Sequence, residues 1–152
     1  MANTYHQLYI HIVFSVKNRE CLIPKDKKEN LHKYITGIVK KKNCKLIAVN
    51  SMPDHIHIFV GLNPTISIAN LVKDIKLSTN KLITENQWVK KTFKWQDGYG
   101  AFSYSKSHIE KVYNYILNQE KHHKKQTFKE EYINLLNEYG LQYDKKFVFD
   151  LE

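Results

Sequence analysis

Met52-Pro53-Asp54-His55-Ile56-His57-Ile58-Phe59-Val60 sets two histidines one residue apart in a run of β-formers, directly behind turn residues. Asn50, Pro53 and Asp54 are turn formers, and Ile56 to Val60 is β-branched and aromatic, so the stretch predicts a tight turn entering a strand. Strand side chains alternate. His55, His57 and Phe59 share one face, while Ile56, Ile58, Val60 and Leu62 form an apolar face suited to helix packing. Two neighbouring imidazoles have two readings, an ordinary surface or hydrogen-bonded pair and joint ligation of one metal ion. A third ligand would favour ligation.

The candidate lies far downstream, in Ser107-His108-Ile109-Glu110-Lys111-Val112-Tyr113-Asn114-Tyr115-Ile116-Leu117-Asn118-Gln119. Ser107 as N-cap with Glu110 three residues on predicts a helix with a capping box. At about 100° per residue, Tyr115 and Gln119 lie about 40° apart, with His108 and His122 on the same side. Ile109, Tyr113 and Ile116 point away and form the expected packing stripe. Tyr113 lies about 120° round from Gln119, so Tyr115 is the phenol that accompanies the carboxamide.

Outward from these segments, the alternating run Tyr5 to Val16 predicts a first strand. Lys17 and Arg19 behind it read equally as phosphate contacts or as a solvated turn. Pro24 opens a helix through about Lys42, with Leu31, Ile35, Ile38 and Val39 as its stripe and Lys40, Lys41 and Lys42 as a solvated, dipole-favoured end. Cys44 to Ser51 predicts a second strand, in a hairpin with the His55 strand. Ser67 caps a helix through about Ile83, on which Lys73 and Lys76 read as exposed. Phe93 to Ser105 predicts a fourth strand with a bend at Gly98 and Gly100, where glycine permits a close approach, a turn or a bulge. A last helix spans Lys129 to Tyr139, ended by Gly140.

The order β-α-β-β-α-β predicts an α+β, ferredoxin-like (RRM-like) antiparallel sheet with helices on one face. His55 and His57 would look out from the other, open face, within reach of the Tyr115 helix. With no linker or repeat, the 152 residues read as a single domain spanning 1–152. No apolar run approaches the length of a membrane span and the start lacks signal-peptide character, so a cytoplasmic protein is expected. Cys21 and Cys44 read as reduced thiols. Twenty-four Lys plus Arg against fifteen Asp plus Glu give a formal charge of +9. With ten tyrosines and two tryptophans for stacking, the excess favours nucleic acid as partner.

The His55-Ile56-His57 strand, Tyr115-Ile116-x-x-Gln119 and the run Trp95-Gln96-Asp97-Gly98-Tyr99-Gly100-Ala101-Phe102-Ser103 together resemble the single-tyrosine transposases of the IS200/IS605 type, in the HUH nuclease superfamily. The likeness covers nearly the whole chain. It implies that His55, His57 and Gln119 bind a divalent metal, Mg2+ or Mn2+, and that Tyr115 is the nucleophile. It implies cleavage and rejoining of single-stranded DNA with hairpin structure, through a covalent phosphotyrosine, by a homodimer. The apolar tail Phe147-Val148-Phe149 on a small domain points to the same dimer. No general base is named by the sequence; His108 and His122 are candidates by position, beside their reading as surface histidines. The alternative function is a non-catalytic ferredoxin-like nucleic-acid-binding protein, which lacks an RNP1-like run and leaves the histidine pair unexplained. A zinc hydrolase fits less well, for want of acidic and further histidine ligands nearby.

Overall fold

The apolar face predicted for Ile56, Ile58 and Val60 carries the main core. In the computed structural model, residues 4–123 and 126–142 are described, His122 in its backbone alone. Lys124, Lys125 and the tail from Tyr143, with Phe147, Val148 and Phe149, lie outside the described residues. The elements are β1 (Tyr9–Ser15), α1 (Lys28–Lys41), β2 (Lys45–Met52), β3 (His55–Gly61), α2 (Ile68–Glu85), β4 (Gly100–Tyr104), α3 (Ile109–Leu117), α4 (Gln119–His122) and α5 (Phe128–Glu138). The four strands form one antiparallel sheet in the order β2-β3-β1-β4. The α+β class and the β-α-β-β-α-β order expected from the sequence are observed.

Ile10, Ile12 and Phe14 of β1 and Ile56, Ile58 and Val60 of β3 pack against Leu31, Ile35 and Val39 of α1 and Leu71, Val72, Ile75 and Ile83 of α2. Leu31, Ile35 and Val39, and Leu71, Ile75, Thr79 and Ile83, recur four residues apart, which turns one stripe of each helix to the sheet. α2 begins as predicted, with the Ser67 hydroxyl accepting from the Asn70 N–H at 3.0 Å. α5 also ends as predicted. Gly140 takes a left-handed φ of 62° that favours glycine, and the last carbonyls of the helix are satisfied behind it.

The other sheet face is not open. α3 covers it on the β2 side through Val112 and Ile116, packed with Ala48 and Phe59. α5 covers it on the β4 side through Phe128, Tyr132, Leu135 and Leu136, packed with Val13 and Phe102. Gly100 is where α5 comes closest, since a Cβ there would meet the Tyr132 ring at 2.9 Å. The close approach allowed by glycine is thus to a side chain of this chain.

Three local expectations change. The fourth strand shortens to Gly100–Tyr104, because Trp95 turns into the core, bridges Val16 and donates from Nε1 to Thr79 Oγ1 at 2.9 Å. Lys76, read as exposed, donates to the carbonyls of Gln96 at 2.7 Å and Gly98 at 2.8 Å, tying α2 to that loop. Ser107 does not cap α3. It lies in a single 3-10 turn, Lys106–His108, with its hydroxyl on Ser105, and Tyr113 is exposed while Val112 takes its place in the packing stripe. Cys21 and Cys44 are free thiols, as expected.

Ser67→Ala is expected to lower the unfolding free energy by about 0.5–2 kcal/mol in urea titrations, the usual cost of a lost cap. Ser107→Ala should stay within about 0.5 kcal/mol of the parent, as an exposed residue without a capping bond does.

Candidate metal centre and tyrosine site

Between the two apolar clusters on the α3/α5 face, the sheet carries polar residues: His11, His55 and His57 are all buried. The hairpin turn supplies the first orienting contact. Asp54 Oδ1 lies 2.7 Å from Nδ1 of His55, and because a carboxylate only accepts, that nitrogen carries the proton. In the neutral ring Nε2 of His55 is then a lone pair aimed at the centre. Asp54 therefore does more than form the turn.

Asn50 is not in the turn. It is buried in β2, and its Nδ2 donates to the Ile116 carbonyl at 2.8 Å, satisfying an end carbonyl of α3. The helix stops at Leu117 and restarts as α4 at Gln119, so the single helix expected from Ser107 to Gln119 is broken at Asn118. Gln119 is fully buried at the first residue of the new turn. Its Nε2 donates to Glu131 Oε2 at 3.2 Å, which directs Oε1 toward His55 Nε2, 3.3 Å away.

Glu131, on α5, is the member that sequence reasoning missed. Only 1% exposed, it sets Oε1 at 3.1 Å from His57 Nε2, 3.2 Å from His123 Nε2 and 3.6 Å from His55 Nε2. The ligand atoms of His55, His57 and Glu131 lie within 4.8 Å of one another, a grouping able to hold a metal ion. Tyr115 donates its hydroxyl to Glu131 Oε2, and its ring stands edge-on to His57 with centroids 5.9 Å apart. A signal for Glu131 does exist in the sequence. Phe128, Tyr132, Leu135 and Leu136 form an apolar stripe, and Glu131 is the one acidic residue in it.

The electrostatics follow from this packing. Burial alone would raise the Glu131 carboxyl, but hydrogen bonds from His123 and His57 hold it well below the usual carboxylate range. Burial, and next the charge of Glu131, push the Tyr115 phenol far above its ordinary value. Burial lowers His57. For His123 burial acts downward, yet the hydrogen bond and charge of Glu131 leave it raised.

Tyr115, Gln119, His55 and His57 are thus brought together, and His123 joins them. His108 is not: it is exposed at the start of α3, bonded to Ser105 Oγ at 2.8 Å. The side chain of His122 lies outside the described residues. His57 faces inward beneath helices, so the expectation that it looks out to solvent is corrected; α3 and α5 cover that face.

A family model described as "Transposase IS200 like" matches residues 4–119. The chain belongs to the IS200-like transposase family. The matched stretch includes His55, His57, Tyr115 and Gln119 and stops short of Glu131. The ISDra2 transposase TnpA of Deinococcus radiodurans is 23% identical over 119 residues, covering 75% of this chain and 85% of that protein. Among solved structures, a candidate transposase from Deinococcus radiodurans superposes with a TM-score of 0.63 at 21% identity, over 78% of this chain and 95% of that one. A REP-associated tyrosine transposase bound to a REP hairpin gives 0.59 at 16% identity, over 81% of this chain and 73% of that one. At these identities the likeness speaks for the fold of this IS200-like chain. No helix among the described residues is long and apolar enough to cross a membrane.

The Glu131 carboxyl titrates lower in the folded chain than its ordinary 4.5, so its contribution to stability is complete above that pH and is lost as pH falls below it. The difference in unfolding free energy between the parent and Glu131→Gln should therefore shrink on acidification below 4.5 in urea titrations with chelator present. A difference that grows on acidification would contradict the buried ionised carboxylate.

Proposed function

We propose that residues 1–152 form one ferredoxin-like transposase domain that cleaves and rejoins single-stranded DNA through a covalent bond to Tyr115. The observation that carries the reading is the meeting of the Tyr115 hydroxyl with Glu131, whose other oxygen contacts His57. A phenol, a carboxylate and two imidazoles have converged from distant segments of the chain.

The donor set fits a divalent cation. Nε2 of His55, Oε1 of Gln119 and Oε1 of Glu131 are all acceptors turned toward one another, and His57 Nε2 borders them. His55, His57, Glu131 and Gln119 would hold Mg2+ or Mn2+; nitrogen and oxygen ligands of this kind suit such ions, Mn2+ better than Mg2+ for the imidazoles. Bound there, the ion supplies positive charge that offsets the negative charge developing on the phosphate oxygens.

The chain's own residues then account for the covalent step. Tyr115 Oη forms a bond to phosphorus as the bond from phosphorus to the 3′ oxygen breaks; the departing oxygen takes a proton from solvent, leaving a 5′-phosphotyrosine and a 3′-hydroxyl. Glu131 Oε2 already accepts the phenolic hydrogen bond and is the atom placed to receive the proton. A carboxylate so placed acts as general base, taking the proton as the new bond forms. Attack of a 3′-hydroxyl on the phosphotyrosine reverses the step and rejoins strands. The excess of lysine and arginine supports the polyanionic partner, and the relative bound to a REP hairpin supports hairpin-containing DNA.

We also propose that the protein acts as a homodimer. Within one chain the Tyr115 hydroxyl meets Glu131 and its ring lies edge-on to His57, which supports a complete site in each subunit. Mixing His57→Ala with Tyr115→Phe protein checks this: restored cleavage would point instead to a site shared between subunits, and a monomer by light scattering would remove the dimer.

Incubation with single-stranded DNA and Mn2+ should give a denaturation-resistant protein–DNA adduct that chelator prevents. Tyr115→Phe should abolish it, whereas the exposed Tyr113 can be changed to Phe with most of the adduct retained. Loss only in Tyr113→Phe would overturn the nucleophile. Absence of any adduct with the parent would favour a non-catalytic binding module.

A further inference from the structure

His11 lies on β1 beside the centre and is not among the candidate ligands. It is 1% exposed, and its Nε2 sits 2.8 Å from Nδ1 of His57. The two rings stack at 5.0 Å with an interplanar angle of 20°. Nδ1 of His11 is buried with no hydrogen-bond partner among the described residues.

A hydrogen bond between two imidazole nitrogens needs one N–H and one lone pair. In neutral rings, the 3.1 Å contact from His57 Nε2 to Glu131 Oε1 decides which is which, because the carboxylate can only accept. The His57 proton is on Nε2, Nδ1 offers its lone pair, and His11 donates from Nε2–H. Ligation of a cation by His57 Nε2 demands the reverse. Nε2 must present a lone pair, the proton must sit on Nδ1, and His11 Nε2 must accept.

We propose that His11 is a positioning residue of the metal centre, whose single hydrogen bond sets whether His57 Nε2 is a donor to Glu131 or a ligand. The proposal rests on the reading of His57 as a metal ligand. An imidazole suits the role because it shifts its proton between nitrogens with no change of charge. In the exchange, the proton of the shared hydrogen bond crosses from His11 Nε2 to His57 Nδ1. The proton on His57 Nε2 leaves through Glu131 to solvent, and one is taken up from solvent at His11 Nδ1 as the site opens, so the total is unchanged. The unpartnered Nδ1 fits this, as no neighbour holds the His11 proton on either nitrogen. A hydroxyl or a lysine would serve less well: the former is too short to span from β1, and the latter cannot accept.

The test uses the whole chain labelled with 15N-histidine, its ring 1H–15N correlations recorded with chelator and then with Zn2+, a diamagnetic ion that imidazoles bind well. With chelator, His11 and His57 should both carry the proton on Nε2; with Zn2+, both should carry it on Nδ1. Movement at His57 alone would overturn the role of His11 while leaving the metal site intact. No movement at either ring would overturn both. In parallel, Mn2+ affinity is measured for two variants. His11→Gln, whose amide can turn oxygen or N–H to His57, should bind within a few-fold of the parent, and His11→Leu should bind about 10–100-fold more weakly. Equal loss in both, or loss in neither, would overturn the proposal; should His11→Leu fail to fold, the ring correlations of the unaltered chain still decide it.

Discussion

A buried carboxylate has to be surrounded by groups that offset its charge, since desolvating an ion costs several kcal/mol even after relaxation. Glu131 meets this condition through contributions from four elements. β3 brings His57, α3 brings Tyr115, α4 brings Gln119, and the turn after α4 brings His123. One buried side chain thus gathers polar groups of α3, α4 and the turn after it against β3. Packing of Val112, Ile116, Phe128 and Tyr132 supplies apolar burial on either side, but the charge dictates which polar groups must lie between.

The sheet divides the labour between its faces. On the α1/α2 side every inward residue of β1 and β3 is apolar, and that layer forms a core without reference to the polar centre. On the other side the same strands present histidines, because alternation leaves those positions free of the core. The pleat thus delivers three imidazoles to one surface at strand spacing, and the helices added after β4 close over them. Most polar groups buried in this way meet one another, which gives their orientation definite hydrogen-bond rules.

Small local devices set the geometry. Asn50 ends α3 by taking the Ile116 carbonyl, and that stop lets Gln119 begin a new turn with its amide toward Glu131. Asp54 leaves the hairpin turn to fix the His55 ring. Gly100 lets the Tyr132 ring lie against β4, which seats α5 and therefore Glu131. Each of the three helps decide what Tyr115 meets.

The alternation through His55 to Val60, the stripes of α1 and α2 and the cap at Ser67 are local patterns, and from them the sequence placed β1 to β3, α1 and α2 in their order. Tyr115 and Gln119 could be singled out from the sequence as neighbours on one expected helix, although Asn118 interrupts that helix between them. Residues 118 and 119 show the limit: the helix breaks there because Asn50, far away in sequence, competes for its carbonyls. Glu131 and His11 belonged to the tertiary structure for the same reason. A glutamate in an apolar stripe and a histidine in an alternating strand are ordinary in isolation. Both take their meaning from His57, more than forty residues away along the chain: pairing of β1 with β3 brings it to His11, and α5 lying over the sheet brings it to Glu131.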